Sequence, residues 1–480
     1  MAPRRSYGIS VNHYERILAE PENPFVGVVS GQQIAVVPEY ALESGVIIRN
    51  FPVAYKTWGT LNYEKNNVMV ICHALTGSSD VADWWGPLIG PGKAFDTSRF
   101  FVVCMNSLGS PYGSASPCTI NADTGTRYGP EFPLVTIRDD VNIHRLILDD
   151  LGVKQVAVVI GGSMGGMLVL EYAFFGPDYV RAIVPLATSA RHSAWCISWG
   201  EAQRQCIYSD PKYEDGYYSF DDHTTNIGKP PYSGLSAARM SALLTYRSRN
   251  SFESKFGRNV PDPARHQTMV APHRQPENIS EENWAIHNEG FKHGKKLAFS
   301  SALTPESEVP PPLSRKSSST SLNGTKRPQT FFTAQNYLRY QGEKFVKRFD
   351  ANCYIAITRK LDTHDISRDR QGDVRQALST LTQPALVIGI ESDGLFTFAE
   401  QEEIATYMPN ARLAKIDSPE GHDAFLLEFA EVNSLVVEFL KEVLPDIMEA
   451  EGAPVLNFEE EVETVRQSSS VGEVEDIVNW

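Results

Sequence analysis

The chain has 480 residues, of which 42% are hydrophobic and 21% are charged, and this composition is typical of a globular protein with a large core. Its formal net charge of −15 argues against nucleic acid and anionic membrane surfaces as partners, because both would repel it. Six cysteines without a C-x-x-C pair favour free thiols over a disulfide scaffold or a metal site. With no apolar signal region at the N-terminus and no membrane-length apolar stretch, the sequence predicts a cytoplasmic protein.

Short apolar runs alternate with helical patterns from about residue 33 to residue 205. The runs NVMVICHAL, RFFVVCMNS, QVAVVIGG and VRAIVPLAT begin at residues 67, 99, 155 and 180. They are apolar on both faces, which predicts central parallel strands covered by helices. The segments VTIRDDVNIHRLILDDLGV and SMGGMLVLEYAFFG have the pattern of the intervening helices. This alternation predicts an α/β fold with an open, mostly parallel sheet.

The strand pattern is absent between about residues 206 and 380. Helical periodicity takes its place in two segments, at 234–256 and 331–361. The sequence between them contains PPPLSRKSSSTSLNGTKRPQ, which offers little apolar surface to bury. We therefore predict a helical lid with a largely disordered insertion at about 255–328.

The strand pattern resumes at PALVIGIESD and ARLAKIDSPEGHD, and the helical segment LLEFAEVNSLVVEFLKEVL follows. An acidic segment of poor periodicity ends the sequence. These boundaries predict one sheet domain interrupted by the lid. The predicted parts are a core in two segments, 1–205 and 381–447, a lid at 206–380, and a disordered acidic tail at 448–480.

Gly161, Gly162, Ser163, Met164 and Gly165 form a G-x-S-x-G pattern between a predicted strand and a predicted helix. This context is typical of the sharp turn that raises a nucleophilic serine in α/β-hydrolase folds. A glycine-rich helix start can instead serve close packing or phosphate binding, so the pattern alone leaves that alternative open.

A serine hydroxyl needs a base to accept its proton and a carboxylate to orient that base. Asp393 and His422 each follow a predicted strand, and they come after Ser163 in the order serine, acid, histidine that α/β hydrolases use. Taken alone, the aspartate is more simply a cap and the histidine a loop residue. Their coincidence at three strand ends favours a catalytic triad.

An oxyanion formed at Ser163 requires two N–H donors. The fold supplies one from the residue after the nucleophile, here Met164, and one from the loop after an earlier strand. The loop in ICHALTGSSD fits the second role, and Leu75 is the candidate donor.

Nine motifs in the regions 48–250 and 330–440 carry a family resemblance. They are NFPVAYKTWGTLN, HALTGSSDVADWWGP, NSLGSPYGSASP, YGPEFPLVTIRDD, GGSMGGM, ATSARHSAWCISWGEAQRQ, ARMSALLTYRS, YLRYQGEKFVKRFDANCY and SPEGHDAFLLE. Together they resemble the homoserine O-acetyltransferases in their fungal form. The resemblance implies an α/β-hydrolase fold with a helical lid and a homodimer formed through that lid. It also implies acetyl transfer from acetyl-CoA to L-homoserine, an early step of methionine biosynthesis, without a permanently bound cofactor.

The resemblance assigns the nucleophile, acid and base to Ser163, Asp393 and His422, and substrate contacts to Arg239 and Asp423. The chemistry agrees, because a zwitterionic amino acid requires a cation for its carboxylate and an anion for its ammonium group. The residues alone leave alternatives open. These are L-serine or another hydroxylated acceptor, a succinyl donor, an esterase or hydrolase with the same triad, and an inactive scaffold of the same fold.

Overall fold

A nine-stranded sheet forms the centre of the computed structural model, which describes residues 13–220, 229–261, 278–290 and 329–453. The strands lie side by side in the order β1-β2-β3-β5-β4-β6-β7-β8-β9. Their bounds are β1 Glu15–Ile17, β2 Gln33–Ala41, β3 Ile47–Trp58, β4 Val68–Cys72, β5 Phe101–Met105, β6 Val156–Gly162, β7 Val180–Leu186, β8 Ala385–Ile390 and β9 Ala411–Ile416. Strands β1 to β3 pair antiparallel, and β3 also pairs antiparallel with β5. All further pairings are parallel, which confirms the predicted α/β class with a mostly parallel sheet.

Thirteen α-helices connect or cover these strands within the described ranges. They are α1 Val81–Trp85, α2 Ile137–Asp150, α3 Met164–Ala173, α4 Ala194–Tyr208, α5 Tyr232–Tyr246, α6 Arg249–Phe256, α7 Ile279–His287, α8 Thr333–Phe345, α9 Ala351–Asp362, α10 Val374–Ser379, α11 Phe398–Tyr407, α12 Phe429–Val443 and α13 Pro445–Met448. Among the residues described, every helix falls short of the length and apolarity of a membrane span.

The inner parallel strands, β4 to β8, are buried on both faces. In β4, Val68, Val70 and Cys72 join the apolar cluster on one side of the sheet. Met69 and Ile71 join the cluster on the other side. This alternation follows from the two-residue period of a strand and explains why the run is apolar throughout. Because the strands are parallel, the loops that follow β4, β6, β8 and β9 emerge at the same edge of the sheet.

The six strands predicted from apolar runs correspond to β4 through β9. Strands β1 to β3 carry polar and exposed positions along their length, so they lack a continuous apolar run. Helices α4 to α10 lie between β7 and β8 in the chain.

The chain divides into two compact units, one comprising 1–251 and 341–480 and the other 252–340. The predicted lid boundaries at 206 and 380 stay predictions. Of the predicted insertion at 255–328, residues 262–277 and 291–328 lie outside the described residues, whereas α7 occupies part of the remainder. The predicted tail at 448–480 lies outside them from residue 454 onward.

Candidate active site

Ser163 lies at the junction of β6 and α3 with backbone dihedral angles φ 60° and ψ −124°. A positive φ is sterically costly for an L-residue other than glycine, and it persists only where the surroundings enforce it. Here the Ser163 N–H donates to the carbonyl of Leu186 at 3.0 Å. The Ser163 carbonyl accepts from the Gly166 N–H at 3.0 Å and from Thr188 Oγ1 at 2.8 Å. These bonds hold the strained turn predicted from the G-x-S-x-G pattern.

The glycines beside Ser163 are required by close backbone packing. A Cβ atom on Gly165 would lie 2.1 Å from the carbonyl oxygen of Cys72, at the end of β4. A Cβ atom on Gly161 would lie 2.7 Å from the carbonyl carbon of Gly165. Both distances are far below van der Waals contact, so only glycine lets the turn settle against β4.

Two consecutive hydrogen bonds link the side chains of Ser163, His422 and Asp393 in a chain. The Ser163 Oγ lies 2.9 Å from His422 Nε2, and His422 Nδ1 lies 2.7 Å from Asp393 Oδ2. The second carboxylate oxygen, Asp393 Oδ1, accepts backbone N–H bonds from Leu395 at 2.8 Å and Phe396 at 3.0 Å. The structure therefore brings together the three residues that the sequence places at separate strand ends. Such a chain can activate a serine hydroxyl as a nucleophile.

Burial alone would lower the pKa of the His422 imidazole, because it disfavours the charged form. The negative charge of Asp393 and its hydrogen bond outweigh this effect, so the pKa of His422 is raised above its ordinary value. The imidazolium that forms when His422 accepts a proton is thus stabilised by its neighbour.

The loops that carry Asp393 and His422 are joined by Ser392. Its hydroxyl donates to the Ser418 carbonyl at 2.5 Å and accepts from the Gly421 N–H at 3.0 Å. Ser392 directly precedes Asp393, and Gly421 directly precedes His422. The two bonds therefore fix the register of one loop against the other.

Met164 and Leu75 are the predicted oxyanion donors. Met164 is the first residue of α3, and N–H groups in the first turn of a helix have no partner within the helix. Leu75 lies in a turn after β4 that is closed by a 3.0 Å bond from the Gly77 N–H to the Ala74 carbonyl. A Cβ atom on Gly165 would lie 2.1 Å from the Cys72 carbonyl oxygen and 3.1 Å from that of His73, so this loop begins beside the serine turn. The assignment of the two donors stays a prediction.

His73 supports the turn that contains Leu75. Its Nε2 accepts the Ser107 N–H at 2.9 Å, so the ring proton resides on Nδ1, which donates to the Ala74 carbonyl at 2.8 Å. Burial lowers the pKa of His73 to about 4, which keeps the ring neutral. The bonds of His73 therefore support the turn structurally.

The two predicted substrate contacts are both buried charges. Arg239, on α5, is 2% exposed, and its guanidinium packs over the rings of Tyr246 and Phe345 at 5.4 and 4.9 Å. It lines a narrow cleft together with Gln341, Lys344, Phe345 and Arg348. Three of these five residues are cationic, and cationic groups attract an anion.

Asp423 follows His422 and is 6% exposed. Its pKa is raised to about 6 by burial, although the charges of His422, Arg247 and Arg239 act to lower it. Its Oδ2 atom is buried and has no hydrogen-bond partner within the described part of the chain. A carboxylate in this state is suited to receive a cationic group.

Sequence reasoning missed three side chains around these charges. The Tyr246 ring centre lies 6.3 Å from that of His422. The sequence could have indicated Tyr246, because this residue follows Arg239 by seven positions and so lies on the same face of α5. Arg348, which donates to the Tyr112 hydroxyl at 2.7 Å, and Arg247, which pairs with Glu420, carry no comparable signal.

Cys118, Asp350 and Cys353 are the one group within the described residues whose ligand atoms are close enough to hold a metal ion, within 4.8 Å of one another. The Asp350 carboxylate already accepts hydrogen bonds from the Tyr218 hydroxyl at 2.7 Å and from the Cys353 N–H at 2.9 Å. Its oxygens thus have structural partners. The expectation of no metal stays a prediction.

The chain is similar in sequence to proteins of known family. The family model described as the alpha/beta hydrolase fold matches residues 67–429. A homoserine O-acetyltransferase of Ascobolus immersus is 59% identical over 97% of this chain and 97% of its own length. A homoserine O-acetyltransferase of Saccharomyces cerevisiae is 56% identical over 95% of this chain and 96% of its own length.

Solved structures are similar in fold. The homoserine O-acetyltransferase from Bacillus anthracis superposes with a TM-score of 0.66 at 22% identity and covers 85% of this chain and 97% of its own. Esterase E22 superposes with a TM-score of 0.64 at 23% identity and covers 85% of this chain and 99% of its own. At these identities the likeness concerns the fold alone.

Proposed function

The chain belongs to the homoserine O-acetyltransferases of the α/β-hydrolase fold, and from this premise we propose how its residues divide the work. The reaction is the transfer of the acetyl group of acetyl-CoA to the hydroxyl of L-homoserine, in methionine biosynthesis. The observation that carries the proposed mechanism is the unbroken hydrogen-bonded chain from Ser163 through His422 to Asp393.

In the first step, Ser163 Oγ attacks the thioester carbonyl of acetyl-CoA while His422 Nε2 accepts the hydroxyl proton. The oxyanion is stabilised by the N–H groups of Met164 and Leu75, and loss of one such donor typically costs about 3–4 kcal/mol in the transition state. The carbon–sulfur bond then breaks, the CoA thiolate takes the proton from His422, and an acetyl-serine remains. Asp393 keeps the His422 proton on Nδ1 and stabilises the charged ring.

In the second step, the hydroxyl oxygen of homoserine attacks the acetyl-serine carbonyl, and His422 accepts the hydroxyl proton. Collapse of the tetrahedral intermediate releases O-acetylhomoserine, and His422 returns the proton to Ser163. Acetyl-CoA enters as a co-substrate in this scheme, and no step requires a permanently bound cofactor or metal.

Recognition of homoserine is proposed to rest on Arg239 for the carboxylate and Asp423 for the ammonium group. The cationic groups that line the cleft at Arg239 support this assignment, as does the buried Asp423 Oδ2, which has no hydrogen-bond partner within the described residues. Tyr246, near both His422 and Arg239, is proposed to form the wall between them. A cation and an anion that bind the two charged groups of homoserine orient its hydroxyl toward the acetyl-serine.

Intact-protein mass spectrometry after addition of acetyl-CoA alone tests this mechanism. We expect an acetyl adduct on Ser163, discharged rapidly by L-homoserine and slowly by water, and no adduct in Ser163→Ala. Product analysis separates the alternatives, because a hydrolase would release free acetate. A higher kcat/KM for L-serine than for L-homoserine would reject the acceptor assignment. Absence of the adduct in the active enzyme would reject the acetyl-serine.

We propose a homodimer formed through the lid helices. The exposed apolar side chains of Tyr232 and Leu244, which are 43% and 51% exposed on α5, support this assignment. Light scattering after size exclusion tests it, and Leu244→Glu is expected to yield monomers. Val46→Glu is the matched control, because Val46 is 45% exposed but lies outside the lid. A dimer that survives Leu244→Glu unchanged would place the interface elsewhere.

The proposed compartment is the cytosol. The six cysteines, all within the described residues, are free thiols, which fits a reducing environment. Fractionation of cells that express the tagged chain tests this, and recovery in an organelle fraction would contradict it.

A further inference from the structure

Arg247 follows the last residue of α5 and anchors a small polar cluster. Its guanidinium forms an ion pair with Glu420, and its Nε and Nη2 atoms donate to Ser251 Oγ at 3.1 and 2.7 Å. The Ser251 hydroxyl in turn donates to the same Glu420 oxygen at 2.7 Å. The Arg247 side chain is 7% exposed, so this pair is largely shielded from water and salt.

The partner of Arg247 belongs to the loop that carries the base. Glu420 directly precedes the 3-10 segment Gly421–Leu426, which contains both His422 and Asp423. The same loop is held at Pro419, whose carbonyl accepts the Ser248 hydroxyl. Gly421 has φ +74°, and a Cβ atom there would lie 2.4 Å from the Ser248 nitrogen. The chain after α5 therefore packs tightly against the base loop.

A second observation indicates that a ligand binds near Arg247. Within the described residues, Arg247 Nη1 is buried and has no hydrogen-bond partner, as is true of Asp423 Oδ2. Buried polar atoms without partners are costly unless a bound group satisfies them. Apart from Arg247 itself, the charged and titratable groups that act on the Asp423 carboxylate are His422, Arg239, Asp393 and Tyr246.

We propose that Arg247 is a positioning residue for the acceptor half of the reaction. Clamped by Glu420 and Ser251, it holds the segment that presents Asp423 and supplies the positive charge that keeps this carboxylate ionised for the ammonium group of homoserine. This inference rests on the proposed function, because it assumes that Asp423 receives the acceptor. Arg247 itself touches neither the acetyl group nor the base.

The two half-reactions separate this role from a purely structural one. Acetylation of Ser163 by acetyl-CoA, followed by mass spectrometry without an acceptor, does not use Asp423. Transfer of the acetyl group from Ser163 to homoserine does use Asp423. For Arg247→Met we expect the KM for homoserine to rise by about tenfold to a hundredfold, because the displaced Asp423 loses its charge-assisted contact with the ammonium group, while the acetylation rate changes less than about threefold. The rise in KM is expected to begin at a higher pH than in the wild type.

Two further variants keep the test decisive if Arg247→Met does not fold. Glu420→Gln weakens the clamp without changing its shape, and Arg247→Lys retains the charge without the forked geometry. Both are expected to raise the KM for homoserine in the same direction by a smaller factor. Arg181→Met is the matched control, because Arg181 forms a two-bonded pair with Asp446, at 2.8 and 2.7 Å, outside the site. It is expected to leave both half-reactions unchanged.

The inference is overturned if the variants slow acetylation and transfer equally with an unchanged KM for homoserine, since that result indicates displacement of His422 alone. It is also overturned if both half-reactions remain at the wild-type level. Failure of the wild-type enzyme to form an acetyl-serine would instead reject the proposed function, so the two failures are distinguishable.

Discussion

The hydroxyl of Ser392 donates to the carbonyl of Ser418, and this bond joins the loop that holds Asp393 to the loop that holds His422. The geometry of the Asp393–His422 pair therefore depends on the side chain of a third residue, Ser392. The 2.7 Å distance between His422 Nδ1 and Asp393 Oδ2 is set by two loops that are bonded directly to each other.

Ser392→Ala removes both bonds that join these loops. We expect kcat to fall by about tenfold, because the loss of two partly buried hydrogen bonds loosens the pair without removing a reacting group. Steady-state kinetics measures the change. Ser379→Ala is the matched control, since Ser379 Oγ also donates to a backbone carbonyl, at 2.8 Å, but on the exposed face of α10. Equal activity of the two variants would show that the Ser392 bridge is dispensable.

Asp393→Asn preserves the size of the acid while removing its charge. We expect kcat to fall by about 10³- to 10⁴-fold, because the imidazolium loses its stabilising partner and the ring can adopt the wrong tautomer. The acetylation rate of the wild type falls as the pH drops through the raised pKa of His422, because only the neutral ring accepts a proton. In Asp393→Asn this acidic limb is expected to move to lower pH. A limb that stays in place would assign it to another group.

The pKa of about 6 at Asp423 gives the acceptor step its own pH dependence. Above this value the carboxylate is charged and binds an ammonium group, and below it the neutral acid does not. We therefore expect the KM for homoserine to rise as the pH falls below about 6, in addition to the loss of acetylation caused by protonation of His422. Measuring acetyl-serine formation without an acceptor separates the two effects. Asp423→Asn should show a high KM at all pH values, and retained pH dependence of KM in this variant would contradict the assignment.

Gly165→Ala places a methyl group 2.1 Å from the Cys72 carbonyl oxygen, which is backbone and cannot rotate away. We expect the free energy of unfolding to fall by about 3 kcal/mol or more, together with a displaced serine turn and loss of activity. Thermal unfolding followed by circular dichroism measures this. Gly27→Ala is the control, because no atom lies within 4 Å of a Cβ there and its φ is not positive. A wild-type melting temperature in Gly165→Ala would mean that β4 and the turn are less closely packed.

The interior of the sheet and the grouping of Ser163, Asp393 and His422 could be predicted from the strand pattern of the sequence. Strands β4 to β8 are almost entirely buried, so their runs are mostly apolar, and Ser163 and Asp393 each follow such a run. His422 follows the edge strand β9, in which Ile416 is the one buried residue. Strands β1 to β3, at one side of the sheet, were not predicted because they carry exposed and polar positions along their length.

The clamp at Arg247 escaped prediction for another reason. Arg247 and Glu420 are separated by 173 positions in the chain, and a local sequence pattern does not predict a contact at that separation. Arg348 likewise reaches Tyr112 across 236 positions. Such contacts depend on the tertiary fold, which periodicity alone does not determine.

The bonding of His73 has a spectroscopic consequence. Because its Nε2 accepts from Ser107 and its Nδ1 donates to Ala74, the ring is locked in a single tautomer whose proton is shielded from exchange. A nitrogen-15-labelled enzyme should therefore give one sharp imidazole resonance from this residue. That signal provides an internal reporter on the turn beside the serine, which can be followed while an acetyl group arrives and departs.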